Sequence, residues 1–241
     1  MREALPPANQ RSLYIVAAIA SLCSAATTAI LIYGPDSQAA ADTLSQARLH
    51  TDVLYLYKRW VLFFHPQFAF IASLGVGLAL FAKRPVFVVI GLFYLLVWSA
   101  TEMTQQAFII DGLNQYWRPG FLNAPDAPGR TAYETLLRGF GGISDSQYFV
   151  VLFSFGVGTT LLGYAFLQAD PFGKAIGVVL LCIGLVSVMS FVGDYAGMAA
   201  VTPLTSWFYA NVYGVIQTGV RIAMGIWLWK LYVRGSHTRE Q

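Results

Sequence analysis

His65, Gln67, Glu102, Gln105, Gln106, Asp194, Asn211 and Arg221 are polar residues set inside, or at the edges of, long apolar runs. An ionisable group in such a run is expensive in hydrocarbon, which makes each a candidate for function. Three kinds of chemistry fit these residue types. A histidine with two carboxylates (His65, Glu102 and Asp194) can ligate zinc, manganese or non-haem iron. A carboxylate in a low-dielectric site binds its proton more tightly and can relay protons. A polar pocket with amides around it can hold a small solute, an ion or a lipophilic ligand. The metal reading is the weakest, because no HxxxH or ExxH spacing supports it. His65 is the one histidine inside a run, and His50 the one plausible second ligand, which argues against a bis-histidine haem. The sequence implies no particular cofactor.

Depth decides which of these groups can meet. At 1.5 Å per residue, His65 lies about 7 Å and Gln67 about 10 Å past Trp60. Glu102 lies about 25 Å past Pro85, near the far edge of a core about 30 Å thick. Asn211 is about 6 Å past Trp207, and Asp194 is close to the edge itself. Gln105 and Gln106 share the Glu102 face at i+3 and i+4. These groups are expected to form one layer near the outer surface, with Glu102 as its main anchor. Arg221, about 21 Å past Trp207, is expected in the inner half. On that count it is about 16–21 Å from Glu102 and Asp194, and either snorkels inward or makes a structural bond.

The elements that must position these residues are six apolar runs of a length that spans a bilayer. They are residues 12–34, 60–82, 85–107, 147–168, 174–198 and 207–233. Of 241 residues, 56% are hydrophobic and 11% charged, against about 25% charged in a soluble domain. That balance excludes a disordered chain, a nucleic-acid-binding domain and an ordinary cytosolic enzyme. The expected fold is all-α: one polytopic domain, a six-helix transmembrane bundle with two outer loops, 35–59 and 108–146. The first loop is partly helical, with Leu49, Val53, Leu56 and Trp60 on one face and Asp42 or Thr43 as its cap. That pattern also lets span two begin as a longer external helix. The second loop is expected to be an ordered cap, with turns at Trp117 to Gly120 and at Pro125 to Gly129.

Arg2, Arg11, Lys83, Arg84, Lys174, Lys230, Arg234 and Arg239 fall in short segments on one side. Basic density of this kind places both termini in the cytoplasm, in a bacterial inner membrane. Ala39-Ala40-Ala41 resembles a signal cleavage site, but Leu13 to Tyr33 is longer than a signal core, so span one is expected to be retained. Cys23 and Cys182 lie in apolar runs with no metal-type spacing and are expected to be free thiols.

Packing seams follow from small residues spaced by four: Ala17, Ser21, Ala25 and Ala29; Ala69, Ser73 and Gly77; Gly193 and Gly197. A faint echo (Gly75-Val76-Gly77 with Gly156-Val157-Gly158, and Ile90-Gly91-Leu92 with Ile183-Gly184-Leu185) would fit a duplicated hairpin. The chain has no phosphate loop, nucleophile elbow, HExxH or dinucleotide fingerprint, so no enzyme class is indicated. The leading expectation is binding or transport of a small solute, ion or lipophilic ligand through the outward-facing polar layer. A non-catalytic subunit of a larger membrane complex is the second, and a metal-dependent membrane enzyme the third. Expected partners are membrane lipids and other membrane subunits, with no nucleic acid.

Overall fold

The computed structural model describes residues 8–38 and 40–237. Arg2, Ala39 and Arg239, on which the orientation and cleavage-site expectations drew, lie outside them. The described residues are all-helical, with no strand. The long helices are α1 (Ala8–Tyr33), α3 (Val53–Leu80), α4 (Pro85–Phe108), α6 (Ala127–Phe166), α7 (Pro171–Tyr195) and α9 (Tyr213–His237). Short helices α2 (Thr43–Arg48), α5 (Arg118–Asn123) and α8 (Thr202–Asn211) fill the connections. Five stretches are long and apolar enough to cross a membrane: Arg11–Tyr33, Val53–Leu80, Pro85–Asn123, Ala127–Phe166 and Pro171–Tyr195. This composition suggests integration in a membrane.

The six long helices close into a ring, in the contact order α1, α3, α4, α6, α7, α9 and back to α1, with α7 and α9 making the thinnest junction. Their outward faces carry Val16, Ile19, Val89, Phe93, Val178, Leu185, Ile222 and Ile226, all exposed. Water would not tolerate so broad an apolar surface on a lone chain, whereas lipid would. The inward faces meet through small residues. Ala17, Ser21, Ala69 and Ser73 are at most 3% exposed, as the four-residue spacing predicts.

Gly197 departs from that pattern. It follows the end of α7 with φ +73°, so it supplies a left-handed turn rather than a helix seam. The echoed glycines also pack differently from a duplicated hairpin. A Cβ on Gly184 of α7 would meet its hairpin partner α6, at Thr160. On Gly91 of α4 it would meet α6 at Gly158, not the hairpin partner α3.

Three expectations are corrected. The stretch 108–146 is almost entirely helical. A nine-residue π-helical segment, Ile109–Trp117, continues α4 into α5, and α6 begins at Ala127. The residues read as turns act as helix starts: Pro119 and Pro128 sit in first turns, where a missing N–H costs nothing, and Asp126 caps α6 by accepting from Gly129 N at 2.8 Å. Span four is therefore part of a 40-residue helix, about 60 Å long, twice the thickness of a bilayer core. Span six is divided at Val212 into α8 and α9. α9, with Gln217, Arg221 and Lys230, is long but the least apolar of the ring, and falls outside the five stretches.

The first connection matches its reading more closely. Asp42 caps α2 in a reciprocal box with Ser45, and α3 does start early, capped by Asp52 through Tyr55 N at 2.9 Å. Lys58 ties the connection to α3 through Asp36 at 3.0 Å, and this hydrogen bond holds the Asp36 carboxyl below its usual range. A lowered pKa stabilises above the unfolded value and is lost as pH falls through the folded one. The tie is therefore expected to release below about pH 4. Amide protection of residues 36–38, corrected for the intrinsic pH dependence of exchange, should fall there relative to pH 6 in the wild type. Lys58→Ala should show the lower protection already at pH 6.

Candidate functional site

Pro66 lies inside α3 directly after His65. Its ring removes a backbone N–H, so the carbonyl of Leu62 loses its helical donor. Leu62 and His65 line a cavity of about 280 Å³ enclosed by the ring. α1 adds Thr28, Leu31 and Ile32; α4 adds Trp98 and Glu102. α6 adds Tyr148, Val151, Leu152 and Phe155, while α8 and α9 add Tyr209, Tyr213 and Gln217. The wall is mainly apolar and aromatic, with a few polar groups converging on it, as in small-molecule sites generally.

The hydrogen bonds around the cavity assign donors and acceptors. Thr27 Oγ1 lies 2.9 Å from the carbonyl of Cys23 and 3.0 Å from that of Ser24. It also lies 2.8 Å from His65 Nδ1. With Thr27 accepting, a neutral His65 carries its proton on Nδ1 and keeps Nε2 as an acceptor. The His65 ring stands edge-on to Trp98, with centroids 6.3 Å apart. Ser187 Oγ donates to the Ile183 carbonyl at 2.9 Å, so the 2.9 Å contact with Tyr209 is donated by the tyrosine. The Tyr209 oxygen is left with its lone pairs. Glu102 forms no ion pair among the described residues, and the Trp98 indole lies beside it, one turn away. His65, Tyr209 and an ionised Glu102 thus offer acceptors to whatever enters.

Of the residues singled out by sequence, His65 and Glu102 meet at this cavity. The others lie elsewhere. Gln67 donates to the Phe63 carbonyl of its own helix at 3.0 Å. Gln105 donates to Ser144 Oγ at 2.8 Å and to its carbonyl at 3.1 Å. Gln106 is buried between Gln105 and Arg59. Asp194 is exposed at the end of α7, beside Ser190, and Asn211 is exposed and bonded to the Trp207 carbonyl. The trio His65, Glu102 and Asp194 is therefore not assembled. Among the described residues no group of three or more His, Cys, Asp or Glu side chains is placed to hold a metal ion.

Arg221 lies deeper than the cavity. It is 4% exposed, so it does not snorkel to the end of the bundle. It follows Gln217, a cavity residue, by one turn on the same face of α9, about 6 Å further along. Arg221 borders a small void with Ser73 and Thr159, while Ser21 Oγ donates to its backbone carbonyl at 2.6 Å.

Sequence reasoning missed Thr27, Trp98, Tyr148, Tyr209, Tyr213 and Gln217. Trp98, near the end of its run, reads as part of an interfacial tryptophan belt. The signal that could have found Gln217 is its four-residue spacing from Arg221. No protein-family model, curated protein or solved structure matches this chain.

Proposed function

We propose that this is an integral membrane protein that binds, and in binding can pass, a small, largely apolar molecule whose polar end carries hydrogen-bond donors, a hydroxyl or an amine. The observation that carries the reading is that His65 and Glu102, from different helices, line one cavity beside the hydroxyls of Tyr148, Tyr209 and Tyr213. Glu102 would anchor the donor end, His65 Nε2 would orient it, and the aromatic wall would hold the apolar body. Buried acceptors that find no donor are costly, so a ligand lacking one is disfavoured.

In this reading α9 serves as a sixth span. Its 25 residues measure about 37 Å, enough to cross a core of about 30 Å. Lys83, Arg84, Lys174, Lys230 and Arg234 gather at the end away from α2 and α5. Basic density there supports a cytoplasmic placement of both termini and an outward-facing cavity.

The test is thermal unfolding of delipidated protein with and without an organic extract of its native membranes. The extract should raise the wild-type melting temperature. It should leave Glu102→Gln unshifted, with expression and ligand-free melting close to wild type. An equal shift in both proteins would refute the role given to Glu102.

A further inference from the structure

Above the central cavity, at the end that carries α2 and α5, lies a second one of about 260 Å³. Gln46, Tyr55, Arg59, Arg118 and Ser144 supply its polar lining, with Ile109, Leu113 and Phe140 behind them. Tyr55 is buried and carries a guanidinium on its ring at two places. Arg59 stands 4.7 Å and Arg118 4.8 Å from its centroid. Two cations thereby lie against one aromatic ring. Arg118 is 6% exposed. Its Nη1 donates to Asn114 Oδ1 at 2.5 Å, and Arg59 Nη1 reaches Gln106 Oε1 at 3.4 Å. The Nε atoms of both arginines are buried without a hydrogen-bond partner.

No carboxylate among the described residues pairs with either arginine. Of the acids nearby, Asp52 caps α3, Glu134 pairs with Arg138, Asp36 pairs with Lys58 and feels Arg59 only at longer range, and Asp111 and Asp145 are exposed. A buried guanidinium is normally paired, because a desolvated charge without a counter-charge is costly. Here Arg118 is in that condition, and Arg59, half-buried with its Nε covered, stands beside it at the same open space. The neutral groups around them also donate. Ser144 Oγ accepts from Gln105 Nε2 at 2.8 Å, so its own proton is free, and the Gln46 amide adds two more.

We propose that Arg59 and Arg118 form a binding site for a phosphate-type oxyanion, closed by Ser144 and Gln46. The planar forks of two arginines match the edges of such a group. The same chemistry is found in a lipid headgroup phosphate and in free phosphate. This site is independent of the central cavity and of what fills it.

The experiment uses the full chain in mild detergent, with inorganic phosphate titrated against chloride at constant ionic strength, followed by thermal unfolding. A parallel arm compares retention of phosphatidylglycerol and phosphatidylcholine by native mass spectrometry. Wild type is expected to be stabilised by phosphate, or to retain phosphatidylglycerol selectively; the first outcome assigns a free anion, the second a lipid. Arg118→Gln should weaken the effect roughly tenfold or more. It should also raise the melting temperature of ligand-free protein, because an uncompensated buried charge is gone. Arg59→Lys, which keeps the charge and loses the fork, should weaken binding with the fold intact, and serves if Arg118→Gln does not fold. The proposal is overturned if neither probe distinguishes itself from its control. Equal responses in wild type and both variants overturn it as well.

Discussion

Gly163→Val is expected to break the bundle. A Cβ at Gly163 would lie 2.7 Å from Leu181 N and 3.0 Å from the Gly177 carbonyl oxygen, both backbone atoms of α7. On the facing side, a Cβ at Gly177 would lie 2.8 Å from the Gly163 carbonyl oxygen. One heptad further from the turn, a Cβ at Gly184 would meet Thr160 N at 2.5 Å. Backbone packs directly on backbone along this seam, as membrane helices do where small residues allow it. A flexible side chain could move aside, but a helix backbone can do so only by separating the pair. Overpacking a core ordinarily costs about 1–3 kcal/mol, and Gly163→Ala should fall in that range. Valine adds two methyls against the same backbone and should cost more, out of a total stability of about 5–15 kcal/mol. Size-exclusion in mild detergent should show Gly163→Val aggregated or absent and Gly163→Ala folded with a lowered melting temperature. A valine variant that melts within a degree or two of wild type would contradict this packing.

Val151→Trp is expected to abolish ligand binding with the fold intact. Val151 lines the central cavity on α6, and the indole would occupy much of its about 280 Å³. Filling a void adds contacts that the lining lacks, so ligand-free protein should melt at or above the wild-type temperature. The stabilisation by membrane extract should vanish, a loss in affinity of roughly a hundredfold or more, since the ligand and the ring compete for one volume. Reduced binding with a lowered ligand-free melting temperature would instead indicate damaged packing. A retained extract effect would place the ligand elsewhere.

The sequence made the helical, membrane-suited character plain because apolar run length follows directly from bilayer thickness. It was also legible that His65 and Glu102 share a depth, since depth is a count of residues along straight helices. Depth alone does not say which groups meet: Asp194 lies at the end of its helix with its side chain exposed, away from the cavity. The stretch 108–146 was misread because Pro and Gly were taken as breakers, while Pro119 and Pro128 sit in first turns of helices. Asp126 before Pro128 was a readable start signal. Gly163 and Gly177 lie symmetrically about Asp170, as do Gly156 and Gly184, so the α6–α7 seam was also readable. The pairing of Arg59 with Arg118 across Tyr55 was not. It depends on the π-helical segment bringing α5 over the start of α3, and no spacing within either helix encodes that.

Native mass spectrometry of the protein gently extracted from its own membrane tests the central claim most directly. The account predicts a chain carrying one small molecule in wild type, diminished by Glu102→Gln and missing from Val151→Trp. A bare chain, or an adduct indifferent to both substitutions, would contradict it. So would a complex with other membrane chains in which the cavity stays empty, which would make this chain a structural subunit.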